Sequence, residues 1–219
     1  MGYILSIETA TKNCSVAISK DGITILCKEI AEQGYSHAER LHVFINEIIN
    51  EVGISLSDLE AIAVSQGPGS YTGLRIGVSS AKGLCYALEI PLIAIDTLQT
   101  LANSLTFNDG YIIPMIDARR MEVYSAIFNS NKEKVREVKA EILTEESFSE
   151  LTGTVYLIGD SNEKAKTILT NDNFVFLENL IYPSAKEMSL LSYQKFLNKD
   201  FVDVAYFEPY YLKDFMFAK

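Results

Sequence analysis

The chain has 219 residues, 48% of them hydrophobic and 22% charged, a balance that excludes a disordered polyelectrolyte and allows one large domain or two small ones. Its 29 acidic and 19 basic residues leave a formal charge of −10, which argues against unaided nucleic-acid binding; the nearest thing to a basic cluster is the pair Arg119-Arg120. No apolar run approaches the roughly 18–20 residues of a membrane span, no secretory leader is legible, and three scattered cysteines (Cys14, Cys27, Cys85) form no CxxC pair, a pattern expected of a cytoplasmic protein with no membrane partner.

In chain order, residues 3–8, 14–19 and 23–30 read as three strands, and Asp21-Gly22 between the last two is a hairpin signal. A helix follows. Ser36 and Glu39 form a capping box, Leu41, Phe44, Ile45, Ile48, Ile49 and Val52 share one face, and Gly53 ends it. Residues 62–65 form a short strand, the turn-rich segment 67–73 opens a second helix over about 71–89, and residues 92–96 form a fifth strand. This is α/β order, a meander feeding parallel crossovers. The segment 106–110 is the expected boundary, giving lobes 1–107 and 108–219, with the option that the last helix and tail pack back on the first lobe. Beyond it, strands are expected at 111–117, 122–129, 135–143, 155–158 and 174–177, with helices at 144–151, 161–169 and 184–198 and an aromatic tail. Both halves open on a meander, a hint of duplication.

The chemistry-bearing residues are few. His37 and His42, the only histidines, are five apart and diverge on a helix, so they make no metal pair, and no GxSxG or HExxH supports a hydrolase. Gly67, Gly69 and Gly73 precede or open a helix; they suit either an anion cradle or a tight turn before a close-packed helix. That helix carries two apolar faces. Leu74, Val78, Ala81, Cys85 and Leu88 form one; Gly73, Ile76, Ser80, Gly83, Leu84 and Ala87 form the other, with Gly77 on the edge. The second face is read as a surface for a partner, the competing reading being packing within the chain. An arginine at Gly77 is then expected to abolish pairing and leave the monomer folded. Glu8, with Thr9 beside it, and Asp117 end strands in the two halves, an arrangement that could hold a magnesium–nucleotide.

Four segments together carry a family resemblance: Ile4-Leu-Ser-Ile-Glu-Thr-Ala-Thr11 with Cys14-Ser-Val-Ala17, Ser36-His-Ala-Glu-Arg-Leu41, Val64-Ser-Gln-Gly-Pro-Gly-Ser-Tyr-Thr-Gly-Leu-Arg-Ile-Gly77, and Glu208-Pro-Tyr-Tyr-Leu212. The chain resembles the bacterial TsaB (YeaZ) family of the tRNA threonylcarbamoyladenosine pathway. The resemblance implies an ASKHA (actin, sugar kinase, Hsp70) fold of two related lobes. It also implies a non-catalytic partner of the paralogous transferase TsaD, joined by the ATPase TsaE and able to form homodimers, with tRNA met only through the complex. TsaD's metal-binding HxxxH corresponds here to Thr97 and Leu101, which cannot replace imidazole ligands. The implied partner surface runs over His37, Leu41, Ile45, Gly73, Ile76, Gly77, Ser80 and Leu84. The chain itself is expected to require no cofactor, with ATP or ADP and magnesium entering at the level of the complex. The alternative is an ASKHA nucleotide-binding ATPase or phosphotransferase using Glu8, Thr9, Gly67, Gly69 and Asp117. A peptidase lacks a catalytic set.

Overall fold

A computed structural model describes residues 2–31 and 37–212. The capping residue Ser36 lies outside the described residues. Two units emerge. The first comprises residues 1–97 and 184–210, the second 98–183 with 211–219.

The first unit holds β1 (Tyr3–Glu8), β2 (Cys14–Lys20), β3 (Ile23–Ile30), β4 (Leu59–Gly67) and β5 (Leu92–Asp96) in the order β3-β2-β1-β4-β5. β1, β2 and β3 pair antiparallel, and β4 and β5 add in parallel. Lys20 pairs with Ile23 across Asp21-Gly22, both at positive φ (52° and 80°), which is the mirror-image turn that a right-twisted hairpin requires. Alternation along the strands sends Leu5, Ile7, Val16, Ile18, Ile62 and Val64 to one face of the sheet. There they meet α1 (His37–Val52) through Leu41, Ile45, Ile48 and Ile49, and α2 (Tyr71–Leu88) through Val78, Ala81 and Cys85. Burying each large aliphatic chain contributes about 2 kcal/mol. Gly53, at φ 74°, ends α1 by donating to Ile49 O (3.1 Å).

The opposite face, with Ile4, Ala17, Ala61, Ala63, Ile93 and Ile95, is covered by the end of the chain. The expected single helix over 184–198 is instead a 3₁₀ turn at Ala185–Met188 followed by α5 (Ser189–Leu197), numbered by its place in the chain. Ala185 and Met188 are fully buried there. A polar clasp fastens this segment. Ser184 Oγ donates to Glu29 Oε2 (2.5 Å), Asn13 Nδ2 donates to the same oxygen (3.3 Å), and the Ala185 N–H donates to Ser15 Oγ (3.0 Å). Burial pushes the Glu29 carboxyl up, but these hydrogen bonds and the Lys186 charge outweigh it and hold the group below its usual range. The tail then bridges Val202 to Leu92 and seats Phe207 on the helical side of the sheet. Lys82 Nζ holds it by donating to Ala205 O (3.1 Å) and Phe207 O (3.0 Å).

The second unit repeats the plan. β6 (Tyr111–Asp117), β7 (Glu122–Asn129), β8 (Lys134–Ile142), β9 (Val155–Ile158) and β10 (Phe174–Phe176) run β10-β9-β6-β7-β8, again an antiparallel meander extended by two parallel strands. α3 (Thr97–Ala102) was not expected, and it moves the division ten residues ahead of 107. Its Leu98, Leu101 and Ala102 are fully buried against Ile112, Ile116 and Phe128 of this unit. Residues 145–150 form consecutive turns rather than a helix, because Phe148, whose side chain is buried, adopts φ 65°, which a right-handed helix does not allow. The helix expected over 161–169 shortens to α4 (Asn162–Lys166). No helix of the described residues is long and apolar enough to cross a membrane.

Replacing Lys82 by Met removes two charge-assisted hydrogen bonds and is expected to cost about 1–3 kcal/mol locally. Hydrogen exchange at the Phe207 and Tyr210 amides should accelerate while the strands stay protected; unchanged exchange would contradict the tether.

Candidate functional site

The glycine motif lies where β4 ends and α2 begins, and the chain itself fills the space around it. A side-chain carbon at Gly69 would collide with the Ala10 carbonyl, one at Gly73 with the Thr9 carbonyl, and one at Gly77 with the Thr9 hydroxyl. At Gly67, where φ is 113°, it would lie 2.6 Å from Tyr210 O. The amides are also in use. Gly67 N–H donates to Thr97 Oγ1 (3.2 Å), Ser70 N–H to Ala10 O (2.7 Å), and Gly73 N–H to the capping Ser70 Oγ (3.3 Å). Thr9 Oγ1 in turn donates to Gly73 O (2.8 Å). Of the two readings open for this loop, the tight turn before a close-packed helix is the one observed. Thr9 and the Gly67 N–H, both expected at an anion cradle, are thus engaged within the chain, and Gly69 packs on Ala10.

The two carboxylates belong to different units, and each has partners within its own. Glu8 is fully buried in the first unit; Oε1 accepts from the Ala10 N–H (2.6 Å) and Oε2 has no hydrogen-bond partner. Burial pushes its carboxyl up to about 7 against the pull of the Ala10 N–H. Asp117 belongs to the second unit, where Lys164 pairs with its Oδ1 and the Arg119 N–H donates to the same atom (3.0 Å). Among the described residues no three His, Cys, Asp or Glu side chains converge on a metal position. Burial also pushes the Cys14 thiol up to about 11, with the Glu8 charge adding to it, and the Cys85 thiol up to about 12. Neither supplies a thiolate.

The partner surface needs correcting residue by residue. Leu41 and Ile45 lie in the core under α1, and Gly73 and Gly77 face Thr9. His37 is pinned inside: its Nε2 donates to Thr11 O (2.8 Å), and burial lowers its pKa, so the ring is the neutral Nε2–H tautomer. Ile76, Ser80 and Leu84 stay partly accessible. What α1 and α2 turn fully outward keeps Gly83 and Ala87 of the expected face and otherwise differs. On α2 it is Thr72, Arg75, Ser79, Gly83, Tyr86 and Ala87; on α1 it includes Ala38, His42, Val43 and Asn46. Tyr86 is 82% exposed, and nothing lies within 4 Å of the position a side chain would take at Gly83. The helices touch through His42 Nε2 and Ser80 Oγ (3.3 Å). Sequence reasoning missed Ser79, Tyr86 and the α1 residues. Helical spacing would have found them had the inward phase been set by the Gly73–Gly77 line as well as by Leu74 and Val78.

Comparison with known proteins places this geometry. Residues 24–213 match the family model "TsaD: tRNA N6-adenosine threonylcarbamoyltransferase". The chain is 31% identical to the tRNA threonylcarbamoyladenosine biosynthesis protein TsaB of Escherichia coli, over 96% of this chain and 94% of that one. It is 30% identical to the protein of the same name from Haemophilus influenzae, over 96% and 93%. Among solved structures, YeaZ from Pseudomonas aeruginosa superposes with a TM-score of 0.82 at 26% identity, covering 97% of this chain and 100% of that one. The ethanolamine utilization protein EutJ from Carboxydothermus hydrogenoformans shares the fold alone, with a TM-score of 0.55 at 10% identity over 87% and 90%. The architecture is of the ASKHA type, two mixed sheets of one topology with flanking helices.

Two expectations follow from the geometry. The folded pKa of Glu8 lies above the ordinary 4.5, so the folded chain holds a proton that the unfolded chain has released between about pH 4.5 and 7. Stability contributed by this group falls as pH rises through that window, and Glu8→Gln should flatten the slope and stabilise by up to about 3 kcal/mol above pH 7. Urea unfolding at pH 5 and 8 measures it. Second, Gly77→Arg forces a side chain into Thr9 and should cost the monomer about 3 kcal/mol or more, read by thermal melting; a normally folded variant would restore Gly77 to the surface.

Proposed function

The chain belongs to the TsaB family, and from that membership we propose that it serves tRNA threonylcarbamoyladenosine biosynthesis as a non-catalytic subunit that binds TsaD and holds it active. TsaE joins the assembly, and the same surface lets the chain pair with itself. The observation that carries the reading is the outward strip of α1 and α2, where Gly83, Ala87, Ser79 and Val43 leave a small-residue surface flanked by the exposed Tyr86 ring. Small residues let a second helix backbone approach, and an exposed aromatic beside them supplies buried area to an interface.

Catalysis is left to the partner. The positions that correspond to the TsaD metal ligands are engaged in this chain's own structure: the Thr97 hydroxyl accepts from Gly67 N–H, and Leu101 is fully buried. The chain needs no cofactor of its own; nucleotide and magnesium belong to the assembled complex. The function is carried out in the cytoplasm.

Light scattering on a sizing column, for the chain alone and mixed with TsaD of the same organism, tests this. A one-to-one heterodimer is expected. Gly83→Arg should keep the monomer folded, since the position is open and Arg favours helix by about 1 kcal/mol over Gly, yet weaken association at least tenfold. Undiminished binding by that variant would remove the strip from the interface.

A further inference from the structure

The basic pair singled out in the sequence has no role in the surface just described. Arg119 and Arg120 form the tip of the β6–β7 hairpin, in the three-residue loop Arg119-Arg120-Met121. Ala118 N–H donates to Glu122 O (3.1 Å) and Glu122 N–H to Arg119 O (3.2 Å), which closes the loop. Both arginines adopt left-handed backbone, φ 71° and 53°. That conformation is relaxed for Gly or Asn and strained for a long side chain. The Asp21-Gly22 hairpin of the same chain uses the relaxed solution.

Strain of this kind persists only where the surroundings enforce it. Here Lys164 enforces it from beneath. Its Nζ donates to Arg120 O (3.1 Å) and Glu122 O (2.6 Å) and pairs with Asp117. Asp117 Oδ1 accepts the Arg119 N–H (3.0 Å), and Asp160 Oδ1 accepts the Asp117 N–H (2.8 Å). Asp117 is thus spent on Lys164 and on the backbone of the loop. Neither guanidinium has an ion-pair partner among the described residues, although acidic residues outnumber basic ones 29 to 19. Both arginines are exposed, and Met121 beside them is 40% exposed.

We propose that the Arg119–Arg120 hairpin tip is a phosphate-binding contact to the RNA backbone, a direct touch on the tRNA substrate made by this chain within its complex. Two planar, always-charged forks on a braced turn suit adjacent phosphodiester oxygens, which they meet bidentately. An acidic chain with one such tip contributes a positioning contact and leaves most of the affinity to its partner, which agrees with its net charge. The inference rests on the reading of the chain as a subunit of the tRNA-modifying complex.

The test uses the full chain assembled with TsaD, an unmodified tRNA transcript as probe, and a salt series. Arg119→Asn with Arg120→Gly places the residues that left-handed backbone prefers at the tip, so the melting temperature should not fall. Binding of tRNA should weaken about tenfold, and the slope of log affinity against log salt should drop by roughly 2, one per lost phosphate. Arg119→Lys with Arg120→Lys keeps the charge and should keep most of the slope. Unchanged affinity and slope in the Asn-Gly variant overturn the proposal. So does loss of TsaD association by that variant, which would make the tip a protein contact. Light scattering before RNA is added separates these results from failure of the wild-type complex to form, which would sink the subunit reading and this inference with it.

Discussion

The first unit is organised around the close approach of α2 to the end of β1. Gly69, Gly73 and Gly77, spaced by four, each face Thr9 or Ala10, and no Cβ fits at any of them. Ser70 N–H to Ala10 O and Thr9 Oγ1 to Gly73 O tie the two segments together. This contact sets the rotation of α2 about its axis. With Gly73 and Gly77 turned inward and Leu74, Val78, Ala81 and Cys85 on the sheet, Ser79, Gly83, Tyr86 and Ala87 are left to face outward. The same contact engages the Ser70 amide, while the Gly67 amide is bonded to Thr97 and the Gly73 amide to Ser70. One packing constraint therefore both closes this loop on β1 and leaves outward the strip proposed to meet a partner.

Kinship with a transferase does not bring the transferase's chemistry with it, because function resides in sites and not in folds. The topology is repeated in both units, yet the ends of the first strands have different fates. Glu8 is sealed in and driven toward neutrality by burial, and Asp117 is bound to Lys164. Each carboxylate is held by partners within its own unit.

Much of the fold was legible because the signals are local. Period-two alternation located the strands, Asp21-Gly22 located a hairpin, and Gly53 a helix end. α3 was missed because six residues without a capping signal carry too little periodicity, and their apolar side is explained only by a core assembled from distant strands. The turns over 145–150 passed for a helix because composition does not reveal that Phe148 takes a left-handed backbone there. For the site the limit was different. Helical spacing showed that α2 has two buried-type faces but not which neighbour each meets, so glycines that admit the chain's own β1 were read as admitting another protein.

The return of residues 184–210 to the first unit has a consequence for synthesis on the ribosome. Ile4, Ala63 and Ile93 belong to strands that emerge early, but their cover, Ala185 and Met188, is translated only after residues 98–183. Until then the first sheet carries a bare apolar face while residues 98–183 are made. Such a nascent chain is a natural client for holding chaperones, and a ribosome stalled before residue 184 would release a fragment prone to aggregate.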